Sequence, residues 1–225
     1  MDTPPGFFVT GSDTGCGKTA VSLALIAHYQ AQGERVVGMK PIASGAEWCG
    51  AEYRNEDARQ LQAASSLSLP YAAINPYCFA PAIAPHIAAE QAGVRIELES
   101  LCNAYHHLAQ QAERMIVEGA GGLLVPLNRT QHLADLIVAL KLPVVLVIGL
   151  RLGCINHTLL TCEVLQQRGI AVHGWIANQI DPQMEAVAAN LATLRHWIPY
   201  PHLGTIPHLA TPSTAEIMEH IQFKN

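Results

Sequence analysis

Gly11-Ser12-Asp13-Thr14-Gly15-Cys16-Gly17-Lys18-Thr19 is the stretch that decides the fold. The apolar run Phe7-Phe8-Val9 precedes it, and Ala20-Val21-Ser22-Leu23-Ala24-Leu25-Ile26 follows with helical character. The order is strand, glycine loop, helix. Glycines leave backbone N–H groups unshielded, so the loop can wrap a phosphate, and the helix start adds the positive end of a dipole. Lys18 is placed to reach the β- and γ-phosphates, and Thr19 to hold a magnesium ion through its hydroxyl. The common P-loop pattern has four residues between its first glycine and the Gly-Lys pair, whereas Gly11 and Gly17 enclose five. An ordinary turn with a chance Gly-Lys-Thr is the simpler alternative, and the flanking strand and helix argue against it.

A length of 225 residues suits one large α/β domain or two small ones. Half of the residues are hydrophobic, ample for a sizeable core, and only 14% are charged. The net charge of −5 argues against general nucleic-acid binding, so a phosphate site has to be built locally. No basic run points to an anionic membrane surface. Cys16, Cys49, Cys78, Cys102, Cys154 and Cys162 form no CxxC pair. The N-terminus lacks a charged segment followed by a long apolar one, so no signal peptide is expected, and a reduced, cytoplasmic setting is. The longest apolar run, Leu142 to Leu150, is too short to cross a bilayer. The histidines are scattered, and the adjacent pair His106-His107 is not at metal-ligand spacing.

Along the chain, residues 18–32 read as a first helix and 35–40 as a second strand stopped by Pro41. Residues 42–53 read as loop, with the 48–53 segment unplaced. Asn55-Glu56-Asp57 reads as a helix start, its carboxylates near the positive end. Residues 75–86 read as loop or edge strand, and helical segments follow near 86–92 and 97–112. Strand 114–118 is expected to run straight into Gly119-Ala120-Gly121-Gly122. Helix 132–141, strand 143–148, helix 154–168, strand 172–178, helix 183–197, strand 203–207 and a terminal helix at 212–222 complete the pattern. This alternation predicts a mostly parallel sheet with helices on both faces, as one domain over residues 1–225.

Ligands of such sheets bind at the carboxyl edge of the strands. Four stretches reach that edge: the glycine loop, Lys40 to Gly45, Glu118 to Gly122, and Gly153 to His157. Magnesium takes hard oxygen ligands, and Thr19, Asp57 and Glu118 are the donors best placed for it. Simpler roles compete. Asp57 suits a solvated helix-start acid, Lys40 a snorkelling lysine and Glu118 a salt-bridged carboxylate. Cys16 and Cys154 suit small packing residues, because no paired base is evident.

Five stretches together carry a resemblance: Thr10-Gly11-Ser12-Asp13-Thr14 with Gly17-Lys18-Thr19; Lys40-Pro41-Ile42-Ala43-Ser44-Gly45; Asn55-Glu56-Asp57-Ala58; Val117-Glu118-Gly119-Ala120-Gly121-Gly122; and Leu152-Gly153-Cys154-Ile155-Asn156-His157. The chain resembles the dethiobiotin synthetase family, whose own glycine loop has this longer spacing, from residue 7 to about residue 209. The resemblance implies a P-loop NTPase-like fold and a ligase of biotin synthesis. Its reactants are ATP, CO₂ or bicarbonate, and 7,8-diaminononanoate, with Mg²⁺ as cofactor, and its assembly is a homodimer with substrate near the subunit boundary.

Residue by residue, the resemblance implies ATP contacts from Gly15, Cys16, Gly17, Lys18, Thr19, Ala20, Asp57, Glu118, Gly119, Ala120 and Gly121. Asn178 and Gln179 match the adenine-reading pair, and Pro207, His208 and Leu209 a wall of the adenine pocket. Thr19, Asp57 and Glu118 match the magnesium positions, and Lys40, with Lys18, the active-site lysines. Thr14 and Ser44 match substrate contacts, and Gly153, Cys154, Ile155 and Asn156 the amides that receive the substrate's tail carboxylate. The chain departs from the family pattern at Gly15, where glutamate is usual, at Cys16, where valine is, and at Gln179, where an aspartate can occur. Two other readings compete. A corrinoid-pathway amide synthase needs a glutaminase domain, for which 225 residues leave no room. A partitioning-type or iron-protein-like ATPase switch carries a second lysine five positions before the P-loop lysine, where this chain has Asp13.

Overall fold

The computed structural model describes residues 5–223. Strand β1 (Gly6–Gly11) leads through the glycine loop into helix α1 (Lys18–Ala31). Strands β2 (Val36–Met39) and β3 (Ile42–Ser44) follow, then a small hairpin of β4 (Glu47–Trp48) and β5 (Tyr53–Arg54). Helices α2 (Glu56–Ala64) and α3 (Tyr71–Ile74) precede β6 (Tyr77–Phe79), and α4 (Pro85–Gln91) and α5 (Leu98–Ala109) precede β7 (Arg114–Gly122). The remainder alternates: α6 (Leu133–Leu140), β8 (Val144–Gly149), α7 (Cys154–Gln167), β9 (Val172–Asn178), α8 (Val187–Trp197), β10 (His202–Ile206) and α9 (Thr214–Glu219).

The main sheet has the order β10-β9-β8-β1-β7-β2 among the described residues, and each neighbouring pair is parallel. From β1 the chain moves outward to β2, fills in β7 between them, then winds the other way through β8, β9 and β10. The direction reverses around β1, so a crevice opens at its carboxyl end. Successive strand residues face opposite layers. Phe8, Met115, Val117, Val144, Leu146 and Ile148 pack with α5, α6, α7 and α8. Phe7, Val9, Ile116, Val145 and Val147 pack with α1, Leu61 of α2 and Ile217 of α9. Every residue of β8 is buried, as a central parallel strand covered on both faces requires.

Four expectations are corrected. The strand expected to end at Glu118 is longer: β7 runs on through Gly119 to Gly122, which pairs with Gly11 after a register shift. The stretch expected as loop from residue 42 holds β3, paired in parallel with the edge strand β6, and then the β4–β5 hairpin. The helix expected from 183 begins at Val187, because Ala186 takes a left-handed conformation, φ 52°, that a helix cannot contain. The terminal helix is confined to Thr214–Glu219, opened by a Ser213–Glu216 capping box.

Candidate active site

The glycine loop caps β1 and turns into α1 through two left-handed glycines, Gly15 at φ 70° and Gly17 at φ 96°. A side chain at Gly17 would also collide with Asn178, whose Nδ2 donates to the carbonyl of Cys16 at 3.1 Å. Lys18 is buried at the helix start. Its Nζ donates to the Asp13 carbonyl at 2.9 Å and lies 3.9 Å from Cys16 Sγ.

Three further elements bring charges to the same place. Lys40 directly follows β2 and is 4% exposed. Its Nζ donates to Glu118 Oε1 at 2.6 Å, Asp57 Oδ2 at 2.9 Å and the Gly119 carbonyl at 3.3 Å. Glu118 is fully buried in β7. The same Oε1 accepts the Thr19 hydroxyl at 3.0 Å. Asp57 lies in the first turn of α2, where the Asn55 side chain accepts the Ala58 N–H as N-cap.

The Lys40 ammonium and the Asp57 carboxylate each favour the other's charged form. Burial works against the Lys40 ammonium, yet Glu118 and Asp57 together outweigh it and raise its pKa. Burial likewise pushes the Asp57 carboxyl up, and the Lys40 charge with hydrogen bonds from Lys40 and Thr19 brings it below its ordinary value. A buried network supports the β2–β3 corner. The Lys40 carbonyl accepts Asn75 Nδ2 at 2.6 Å, and the Tyr71 hydroxyl donates to Asn75 Oδ1 at 2.8 Å. That hydroxyl also accepts the Asn55 N–H at 2.7 Å, and Asn55 Nδ2 donates to the Ser44 carbonyl at 3.3 Å.

Thr14, Gly15, Gly17, Lys18, Thr19, Lys40, Ser44, Asp57, Glu118, Ala120 and Gly121 line one cavity of about 710 Å³. Two buried polar atoms of these lining residues, Glu118 Oε2 and Ser44 Oγ, have no protein partner. Buried polar atoms left alone are costly; the carboxylate oxygen suits a donor or a cation, and the Ser44 hydroxyl can donate or accept. Ala20, Asn178, Gln179, Pro207, His208 and Leu209 line a smaller cavity of about 200 Å³, beside the same end of α1. Cys16 and Gly119 line neither cavity but contribute the carbonyls already described. Gly153, Cys154, Ile155 and Asn156 also line neither. They open α7, with Gly153 at φ 93° as its N-cap.

Sequence reading missed Asn55, Ala43, the segment Ala82 to Pro85, and Val125 with Pro126, all of which line the large cavity. Asn55 carried a signal, as a polar cap two residues before Asp57. The small apolar lining residues carried none, because their only chemistry is shape.

Comparison with known proteins gives four matches of three kinds. A family model described as an AAA domain matches residues 5–215. An ATP-dependent dethiobiotin synthetase BioD of Xanthomonas axonopodis pv. citri is 50% identical over 203 residues, covering 90% of this chain and 91% of that protein. The protein of the same name from Aromatoleum aromaticum is 47% identical over 217 residues, 96% of each chain. Among solved structures, the MinC:MinD cell division protein complex of Aquifex aeolicus aligns with a TM-score of 0.56 at 12% identity, over 92% of this chain and 82% of that one. At that identity the likeness concerns the fold alone.

Proposed function

The chain belongs to the ATP-dependent dethiobiotin synthetase family and is an ATP-dependent ligase that closes a ring, and on that premise we propose how its residues divide the work. The smaller cavity takes adenine against Asn178, Gln179 and the Pro207–Leu209 wall. The loop amides and Lys18 take the β- and γ-phosphates. The diamine enters the large cavity beside Lys40 and Ser44. An amine attacks CO₂ and loses a proton, giving a carbamate. A carbamate oxygen takes the γ-phosphoryl group as ADP leaves. The neighbouring amine then attacks the carbamoyl carbon, phosphate departs, and a five-membered cyclic urea results. Proximity drives this last step, since effective molarities for well-oriented intramolecular attack reach about 10⁵ M or more.

The protein's part is positioning and charge stabilisation, as in phosphoryl transfer generally. Lys18 and Lys40 oppose Asp57 and Glu118, so the cavity walls are close to neutral before the nucleotide arrives. The Thr19 hydroxyl and the two carboxylates form a hard-oxygen set, and the unpartnered Glu118 Oε2 fits a hydrated cation. Thr19, Asp57 and Glu118 would hold Mg²⁺, which offsets triphosphate charge when bound. The Lys40 ammonium then faces the charge that develops as the phosphoryl group moves. The observation that carries this reading is the Lys40 ammonium set between Glu118 and Asp57 in the cavity that Lys18 and Thr19 also line.

Homodimerisation and a cytoplasmic setting belong to the same proposal. Leu152 is 98% exposed on the turn before α7, and Leu160 of α7 is also exposed, which supports a partner surface there. No helix among the described residues is long and apolar enough to cross a membrane. Ile42 and Phe79 of the small sheet share a core with the main sheet, which supports reading the chain as one domain.

An ADP-release assay with diamine, bicarbonate and magnesium, each omitted in turn, tests the reading. Release is expected to need all three. Equal ATP hydrolysis without the diamine would favour an ATPase switch instead.

A further inference from the structure

A second set of charges lies beside the cavity. Asp13, inside the glycine loop, directs its two carboxylate oxygens to different partners. Oδ1 accepts the Thr14 N–H at 2.7 Å and so shapes the loop. Oδ2 accepts from Nη2 of Arg151 and lies 3.7 Å from Nδ1 of His157. Arg151 sits in the turn between β8 and α7, and His157 in the first turn of α7. The Asp13 main-chain carbonyl meanwhile accepts Lys18 Nζ. One residue therefore joins the phosphate-binding lysine, the glycine loop and the start of α7.

We propose that Asp13 is a positioning residue whose ion pair with Arg151 sets the β8–α7 turn against the glycine loop, and that binding of the amine substrate depends on this pair more than binding of nucleotide does. The inference rests on the functional reading above and extends it to a residue outside the assigned set. Its logic is a separation of tasks within one side chain. The nucleotide's phosphates meet the loop amides and Lys18, which Oδ1 and the main-chain carbonyl of Asp13 hold without help from Arg151. The amides at the start of α7, which the family resemblance matches to the tail carboxylate, depend on the turn that Arg151 belongs to.

That turn has little side-chain packing of its own at its tip. Leu152 is 98% exposed and Gly153 has no side chain. Both members of the ion pair are partly exposed, 40% for Arg151 and 36% for Asp13, so the pair contributes little to folding stability. Geometry is a different matter, because a displacement of about 1 Å away from the chemistry can cost about 10²-fold in rate. The pair is therefore expected to matter for kinetics while leaving the melting temperature nearly unchanged.

Steady-state kinetics with the diamine and ATP varied separately test this, alongside thermal melts and ADP titrations. The proteins are the wild type, Asp13→Asn, Arg151→Gln, their combination and Arg151→Lys. Asparagine keeps an acceptor for the Thr14 amide and removes the charge. Each single variant is expected to raise the diamine KM about tenfold while the ATP KM and ADP affinity stay within about twofold. The combined variant should be no worse than the worse single one, since both remove one interaction. Arg151→Lys should restore most of the loss. Unchanged diamine KM, an equal rise in ATP KM, or independent losses that multiply in the combined variant would overturn the proposal. Should Asp13→Asn fail to fold, Arg151→Gln carries the same test from the other side. A wild-type protein that turns over ATP without making a cyclic urea overturns the functional reading. An active wild type with unaffected variants overturns only the role of Asp13.

Discussion

Lys40 shows what a single residue does when β7 and the first turn of α2 each aim a carboxylate at it. Its ammonium is buried and held between two carboxylates, so removing the charge leaves Glu118 without its cation. On the proposed placement of Lys40 beside charge that grows in the transition state, Lys40→Gln is expected to lower turnover by about 10²–10³-fold. ADP affinity should change far less, and Lys18→Gln should lose both. Titration of bound nucleotide beside the rate measurements separates the two. Asp57 gives a pH signature. Its folded carboxyl lies below its ordinary pKa, so the stability it adds is present above the unfolded carboxyl's range and is lost as pH falls through the folded value. Lys40, raised, stays charged across that window and loses its contribution only on the alkaline side. Asp57→Asn should therefore cost about 1 kcal/mol or less at neutral pH, given that its side chain is 42% exposed. The gap in melting temperature should close as pH falls through the folded carboxyl's lowered value. The polar members of this site were legible beforehand because charged residues at strand ends are chemically conspicuous. The pairing of Lys40 with both acids was not, since sequence spacing says nothing of which ends meet across a sheet.

Among elements, the glycine loop was readable because its chemistry is local: strand, glycines, helix. Gly17 has two separate demands, a left-handed backbone and close approach of Asn178. Gly17→Ala should cost about 1–3 kcal/mol by denaturant unfolding and weaken nucleotide binding, because it disturbs both the loop and the Asn178–Cys16 hydrogen bond. Affinity and stability equal to the wild type would remove that claim. Other elements escaped the hydrophobic pattern for identifiable reasons. The end of β7 is Gly119-Ala120-Gly121-Gly122, which offers no apolar alternation, and its strand character comes from pairing with β1. The short β3 owes its existence to β6, 35 residues later in register. The β4–β5 hairpin is exposed at Trp48 and Tyr53, whose rings meet edge to face at 5.2 Å, so no burial pattern announces it.

At the scale of the whole molecule, the sheet order places the carboxyl ends of β1, β2, β7 and β8 along one rim. The glycine loop, Lys40, Glu118 and the α7 turn stand there together for that reason. Yet the α7 turn lines neither cavity within one chain, which is the strongest reason to expect a second copy. Light scattering should give a mass twice the 24.2 kDa of the chain; a monomer that is fully active would require another receptor for the substrate tail. The most direct measurement supplies ¹³C-bicarbonate, the diamine, ATP and magnesium, and counts ADP against labelled product. One ADP should form for each cyclic urea carrying ¹³C at its carbonyl. ADP accumulating with no label in a urea carbonyl would contradict the account.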